Sequence, residues 1–437
     1  MLPIPVPALI FALLSAVALT PEEKLTNLEP AAQAAVAEDL PGDGQLADRA
    51  VVGEGADLAG GGALLVQVEQ VGADLQDHVG HVLGEQPVAL GRLDGGRDVD
   101  NLGDDIFDAA SAVTYATDRQ IAPDPMAVGM DILFDQPEGV LTALLQIPDV
   151  LDVCGTALAA TRFDFAQHAL AGISNIAEGG NNSVIGMNIK LPMRDAVLMN
   201  GILAHGLDYD DTHPGAIVHP SSSSFPCSLG VAEKRDASGA DLLMAYILGV
   251  EIATRLGVAA GGTMHTQGFH TTGIAGHFGC SVAAGKLFKL SPQRLQYAQG
   301  FAGSTASAIS EHRADGAWNK RLHPGWASVA GITAANLAHG GTVGPTKPYE
   351  GRLGLFNTHL KDLAKQVDYA AITRELGATW EIMNVAVKPF PVCHFIHACG
   401  DAALILREQH AIQPDQIEKI TALIAEETLH IVAEPVA

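Results

Sequence analysis

The chain has 437 residues, 48% of them hydrophobic, with 47 glycines, few aromatics and a formal net charge of -25. Such acidity argues against a nucleic-acid partner, and the length exceeds one typical core, so two or three domains are expected. The charge is unevenly placed: residues 1–150 carry 25 acids against 5 bases, net -20, and residues 151–437 carry 25 against 20, net -5.

Residues 2–19, LPIPVPALIFALLSAVAL, imitate an export signal and end in an Ala-x-Ala-like site. No Lys or Arg precedes the apolar run and three prolines interrupt it, so neither export nor a membrane span is expected. From Glu38 to Gly103 glycines break most helical windows, and short strands and disorder fit equally. Gly60–Gly62 lacks the Lys-Ser/Thr of a phosphate loop, and Asp94–Asp105 lacks the ligand spacing and final Glu of an EF-hand. Residues 1–146 therefore stand apart as an atypical acidic segment, read either as disordered or mistranslated or as an unfamiliar acidic domain.

From Ile147 the pattern becomes regular. Asp152–Ala160 reads as an apolar helix, and Ala196, Leu198, Met199, Ile202, Leu203 and Leu207 mark another near the 3.6 period, on which His205 and Asp208 share a face. That helix stops at Thr212, where His213, Pro214 and Gly215 force a turn, and a second His-Pro pair follows at His219 and Pro220. Asp241–Leu256 is a strongly buried helix and Gly273–Leu287 a second one rich in Gly and Ala. Ser291-Pro292 is a helix start, with the helix expected through Ser310. Trp326–His339 is the next, stopped by Gly340-Gly341. At least five helices with no strand between them predict an all-helical domain over 147–380. A β-like segment, Ile417–Val432, then opens a smaller α+β domain over 381–437.

Between His205 and His219, fifteen residues hold three acids and three histidines. A helix end feeding a turn can hold a carboxylate and an imidazole at fixed separation, as acid/base catalysis requires. Three further clusters fall on connections: MHTQGFHTTG with His265 and His270, EHRADGAWNKRLHPG with Arg313, Lys320, Arg321 and His323, and KPFPVCHFIH with Lys388, Cys393, His394 and His397. His205, Asp208, Asp210, Asp211, His213 and His219 also offer a ligand set for a metal-dependent hydrolase. That reading leaves Lys320 and Lys388 unexplained, and their charge would oppose a metal. The five cysteines, Cys154, Cys227, Cys280, Cys393 and Cys399, contain no CxxC pair for an iron-sulfur cluster. Their odd number and wide spacing suit reduced thiols in a cytoplasm.

HGLDYDDTHPGAIVHPS, GFHTTGIAGHFG, DGAWNKRLHPGWASVAG, YEGRLGLF and KPFPVCHFIHACGDA, in this order and spacing, resemble the 2-methylcitrate dehydratase / cis-aconitate decarboxylase (MmgE/PrpD) family, which also contains an iminodisuccinate epimerase. The resemblance runs from about Ile147 to the C-terminus. It implies a mainly α fold, a large all-helical domain followed by a smaller α+β lid, and a cytoplasmic homodimer with its site in the cleft between the domains. It also implies no metal and no organic cofactor, and a small di- or tricarboxylate as substrate. Carried over by motif, the catalytic residues fall on Asp208, His219, His270 and Lys320. The substrate-binding residues fall on Thr212, Lys388, Cys393 and His397, with Arg321 added from its charge. Proton abstraction next to a carboxylate needs the developing enediolate charge stabilised as it forms. Lysines would supply that stabilisation, with imidazole or carboxylate moving the proton. The resemblance favours a 2-methylcitrate dehydratase-like hydro-lyase, with decarboxylation or epimerisation as alternatives. Ala437 falls early in the family's lid, so a truncated, inactive member is also an expectation.

Overall fold

The computed structural model describes Leu64–Gln70, Gly80–His81 and residues 147–432. The export-signal-like stretch, Gly60–Gly62 and Asp94–Asp105 lie outside the described residues. The described residues fall into two compact units, divided after Pro391.

The first unit is a bundle of eight main helices: α1 (Ile147–Ala160), α2 (Asp164–Ser174), α3 (Met193–His205), α4 (Ser221–Arg235), α5 (Gly239–Ala260), α6 (Thr271–Leu287), α7 (Pro292–Thr305) and α8 (Leu322–His339). Three of them show local causes in the sequence. On α1, Val150, Val153, Cys154, Ala157 and Ala160 form one buried stripe. Ser238 caps α5 by accepting from the Asp241 N–H at 3.1 Å while the Asp241 carboxylate accepts from the Ser238 N–H, and Gly261 closes it in the left-handed region. Ser291 caps α7 ahead of Pro292.

Helix α6 is buried all round from Thr271 to Gly285 and sits at the centre, against α5 on one side and α8 on another. Its small residues permit the close approach. A Cβ on Gly279 would meet the Gly249 backbone of α5, and one on Gly331 of α8 would meet Cys280. Helix α3 crosses α8 the same way, Gly201 facing Gly325 backbone to backbone. Helix α5 is long and apolar enough to cross a membrane, but it is mostly buried in this bundle.

Several boundaries differ from the sequence expectation. Helix α7 ends at Thr305 rather than Ser310, because the following segment pairs with 268–270: the His270 N–H donates to the Ala308 carbonyl and the Ser310 N–H to that of Gly268, both at 2.9 Å. Helix α8 starts four residues early, with Pro324 in its first turn, where a missing N–H costs nothing. The stretch SSSSFPC carries no helical signal, yet it opens helix α4. The helix is buried from Ser221 to Ala232, and two of its serines satisfy their buried hydroxyls on the backbone, Ser222 on the His219 carbonyl at 2.9 Å and Ser228 on that of Ser224 at 2.8 Å. A two-residue hairpin, Asn182–Ser183 with Lys190–Leu191, also interrupts the expected run of helices.

Two buried polar networks cross the bundle. The Arg255 guanidinium pairs with Glu251 at 2.5 Å and donates to the carbonyls of Ala371, Arg374 and Thr379, while Glu251 accepts from the Glu381 N–H at 2.8 Å. This pins the irregular segment leading to Lys388 onto α5. Beneath the 205–219 loop, Asp149, Asp152 and Asp211 lie together, with the Ser221 hydroxyl between Asp211 and Tyr246. Burial, followed by mutual repulsion with Asp152, raises Asp149 to about 7. Burial, followed by repulsion from Asp210, raises Asp152 to about 7.

In the second unit Leu64–Gln70 lies antiparallel between Gly80–His81 and Ile417–Leu423, with Leu65 opposite Leu423. Helices α9 (His397–His410) and α10 (Glu426–Val432) complete it. The expected β-like segment 417–432 is therefore strand only to Leu423. Glu426 in the first turn of α10 suits the positive end of a helix dipole, and Thr428 closes that turn back onto the Ala425 carbonyl at 2.8 Å. Across the described residues the fold is mainly α.

Candidate active site

Helix α3 ends at His205, and Asp208 lies beyond it in the left-handed region, φ 52°. Asp208 and His205 therefore do not share a helix face. The reversal carries the Asp208 carboxylate away from the helix axis toward two lysines that come from distant parts of the chain. Lys320, on the short turn before α8, reaches Oδ2 at 2.9 Å. Lys388 reaches Oδ1 at 2.9 Å and also donates to the Asp208 backbone carbonyl at 2.7 Å. Burial alone would raise this carboxyl, but the ammonium groups of Lys320 and Lys388 overcome it and hold it far below the usual range. Asp208 is thus a fixed anion under two ammonium groups.

The loop after Asp208 is set by backbone pairing. Thr212 and Ala386 exchange N–H and C=O at 2.9 and 2.8 Å, which ties the acidic loop to the segment bearing Lys388. His213 accepts the Ala216 N–H on Nδ1 at 3.0 Å, so its Nε2–H donates to Glu381 at 3.0 Å. His213 is thereby a loop brace.

His219 sits just before α4. Its N–H donates to Thr272 Oγ1 at 3.0 Å, and its Nδ1–H to the Asp211 carbonyl at 2.9 Å. A carbonyl only accepts, so Nε2 is the bare nitrogen, 4.0 Å from Asp208 Oδ1. Burial lowers His219 to about 3, with Asp210 opposing and Lys388 reinforcing. The ring is a neutral base at neutral pH.

Asp210, fully buried, accepts from His205 Nδ1 at 2.8 Å and lies 3.7 Å from His219 Nδ1. Ligand atoms of His205, Asp210 and His219 lie within 4.8 Å of one another, close enough to bracket a cation. Both imidazole Nδ1–H groups are already donating, to Asp210 and to the Asp211 carbonyl, so the trio is tied by hydrogen bonds.

His270 precedes α6 and is buried. Its ring stacks on His205 at 5.4 Å and lies 6.2 Å from His219. Its Nδ1 meets His323 Nδ1 at 3.0 Å. Burial, then His205 and Lys320, holds His270 well below the usual imidazole range.

Asp208, His219, His270, Lys320 and Lys388 therefore converge within the first unit, with Thr212 in the backbone beside them. Arg321 is placed differently. Its guanidinium lies 4.6 Å over the Phe165 ring and donates through Nε to the Gly206 carbonyl at 2.8 Å. Cys393 and His397 belong to the second unit, at the start of α9, where His397 Nε2 donates to the Val392 carbonyl at 3.1 Å. The convergence adds His205, Asp210 and His323, for which sequence reasoning suggests no separate catalytic role. The signal for His323 is its Pro324 neighbour, which places it in a helix's first turn directly after Lys320-Arg321. All five cysteines are free.

A helical bundle thus gathers a carboxylate, two lysines and a histidine cluster around one helix end, groups able in principle to move a proton and to offset negative charge. The MmgE/PrpD N-terminal domain matches residues 142–367, just over half of the chain. The chain belongs to the MmgE/PrpD family. It is 28% identical over 261 residues to a cis-aconitate decarboxylase-like protein, oryM, of Aspergillus oryzae, covering 57% of this chain and 52% of that one. It is 32% identical over 252 residues to the cis-aconitate decarboxylase of Homo sapiens, covering 54% and 50%. For that of Mus musculus the identity is 28% over 297 residues, covering 63% and 58%. The chain spans about half the length of the curated relatives it matches.

Proposed function

We propose that the protein is a cofactor-independent lyase for a small di- or tricarboxylate, and that its reaction is decarboxylation of a cis-aconitate-like unsaturated tricarboxylate. The observation that carries this reading is the Asp208 carboxylate held at 2.9 Å by both Lys320 and Lys388, beside the bare Nε2 of His219. Two ammonium groups on one face form a receptor for carboxylates. They also supply preorganised positive charge where an enediolate develops.

In an allylic decarboxylation the carboxylate on the saturated carbon leaves as carbon dioxide. Its bonding pair forms the new double bond. The old double-bond pair moves onto the carbon beside a remaining carboxylate, and a proton quenches it there. Lys320 and Lys388 stabilise that charge, and His270 or His219 delivers the proton. Both rings are neutral in the free protein, and the negative charge of a bound substrate shifts each toward its imidazolium form.

The relatives are named for decarboxylation, which puts this reading ahead of a 2-methylcitrate dehydratase-like hydro-lyase. Dehydration and epimerisation begin from the same stabilised carbanion, so the site's charges alone suit all three. The test is turnover of chelator-treated protein on cis-aconitate, 2-methylcitrate and citrate, following carbon dioxide and double-bond absorbance separately. Carbon dioxide from cis-aconitate, with a rate lowered roughly 10²–10⁴-fold in Asp208→Asn, is the expected result. Double-bond formation from 2-methylcitrate without carbon dioxide would instead establish the hydro-lyase.

A further inference from the structure

His270 and His323 come from different elements, the entry to α6 and the first turn of α8. Their Nδ1 atoms nevertheless meet at 3.0 Å, and the two residues are only 5% and 7% exposed. Two ring nitrogens at that distance share one hydrogen, because two N–H groups would collide and two lone pairs would repel. Neither ring is charged at neutral pH, since burial depresses His270 and, with His205 and His312 reinforcing, takes His323 to about 3. One ring is therefore the Nδ1–H tautomer and the other the Nε2–H tautomer.

We propose that His323 is a positioning residue that fixes the tautomer and ring orientation of His270, leaving Nε2 of His270 as the nitrogen that exchanges a proton with the substrate. The ring stack supports this assignment. His270 stacks on His205 at 5.4 Å and lies tilted against His323 at 5.2 Å, and His323 in turn lies 5.9 Å from His312. Rotating His270 would break the Nδ1 contact and strand a buried donor or acceptor. The groups facing the pair are His205, His265, His277, His312, His219 and Lys320. Among the described residues no carboxylate bonds His323, so its effect on His270 is through the shared hydrogen rather than through an ion pair.

The role in proton exchange rests on the lyase reading, but the tautomer can be measured without it. The full chain labelled with ¹⁵N-histidine is examined by long-range ¹H–¹⁵N correlation at pH 7.5, with His270 and His323 assigned by the peaks lost in His270→Asn and His323→Asn. One ring with a protonated-type Nδ1 and one with a bare-type Nδ1 is the expected pattern. His323→Leu should change the His270 pattern and lower kcat roughly tenfold to a hundredfold with KM little changed. His323→Asn, whose amide places a donor and an acceptor near the lost Nδ1, should restore both. Two Nε2–H rings in the wild type, or a His270 pattern identical in wild type and a folded His323→Leu, would overturn the proposal. If the wild type turns over none of the tricarboxylates, the lyase reading fails and the tautomer pattern still decides the role of His323.

Discussion

Asp208 shows why single residues of this site are not interchangeable. Its left-handed backbone and its two lysines are parts of one arrangement, yet the lysines differ. Lys388 is buried, with 1% of its side chain exposed, and binds both the carboxylate and the backbone carbonyl; Lys320 is 24% exposed and binds only the carboxylate. Removing Lys388 takes away two charge-assisted hydrogen bonds and leaves Asp208 with Lys320 alone, so Lys388→Met should cost roughly 2 kcal/mol of stability. Lys320→Met should cost no more than about 1 kcal/mol and act mainly on turnover. Equal losses in urea unfolding would show that the two play the same part. The clustering of acids and histidines marks this loop as a candidate site, and the motifs point to Lys320 and Lys388 beside it. What the sequence does not show is the residue-level geometry. The helical period continues through Leu207, but the chain leaves the helix at His205, and the position of Asp208 depends on lysines far away in sequence.

At the level of helices, the first unit is a study in small residues. Gly201 and Gly325 let α3 and α8 touch along their backbones, which places the helix end before Asp208 next to the turn that carries Lys320. Gly201→Ala would push a Cβ into the Gly325 backbone, which has no flexible end to move aside, and overpacking of this kind costs about 1–3 kcal/mol. We expect a lower urea midpoint together with a reduced rate. A stability loss with an unchanged rate would mean that the α3–α8 contact does not place the lysine. The helices with long apolar periods, α1, α5, α6 and α8, can be read from the sequence, and only their ends differ. Helix α4 cannot, because its four serines and Pro226 look like a turn, and only its burial from Ser221 to Ala232 shows it to be a core element.

Over the whole molecule, the buried carboxyls of Asp149 and Asp152 and the buried imidazoles of His219 and His323 pull stability in opposite directions with pH. Asp149 and Asp152, raised to about 7, have folded values above their unfolded ones. The stability they contribute is complete below about pH 4 and is lost as pH rises toward 7. His219 and His323, lowered to about 3, contribute stability that is present above their unfolded values and is lost as pH falls from about 6.5 toward 3. Asp149→Asn removes a charge penalty present only at high pH, so its melting temperature should gain on the wild type between pH 5 and pH 8. A gap that stays constant across that range would show that Asp149 does not titrate there.

The clamp between Asp208 and Lys388 joins residues 180 positions apart. A ribosome adding on the order of 5–20 residues per second therefore needs roughly ten to forty seconds between making the acid and making its lysine. During that interval the nascent chain can bury α3, but it cannot complete the charge pattern around Asp208. The acid must remain hydrated or find Lys320 alone. The charge pattern around Asp208 is thus among the last features this unit completes during synthesis.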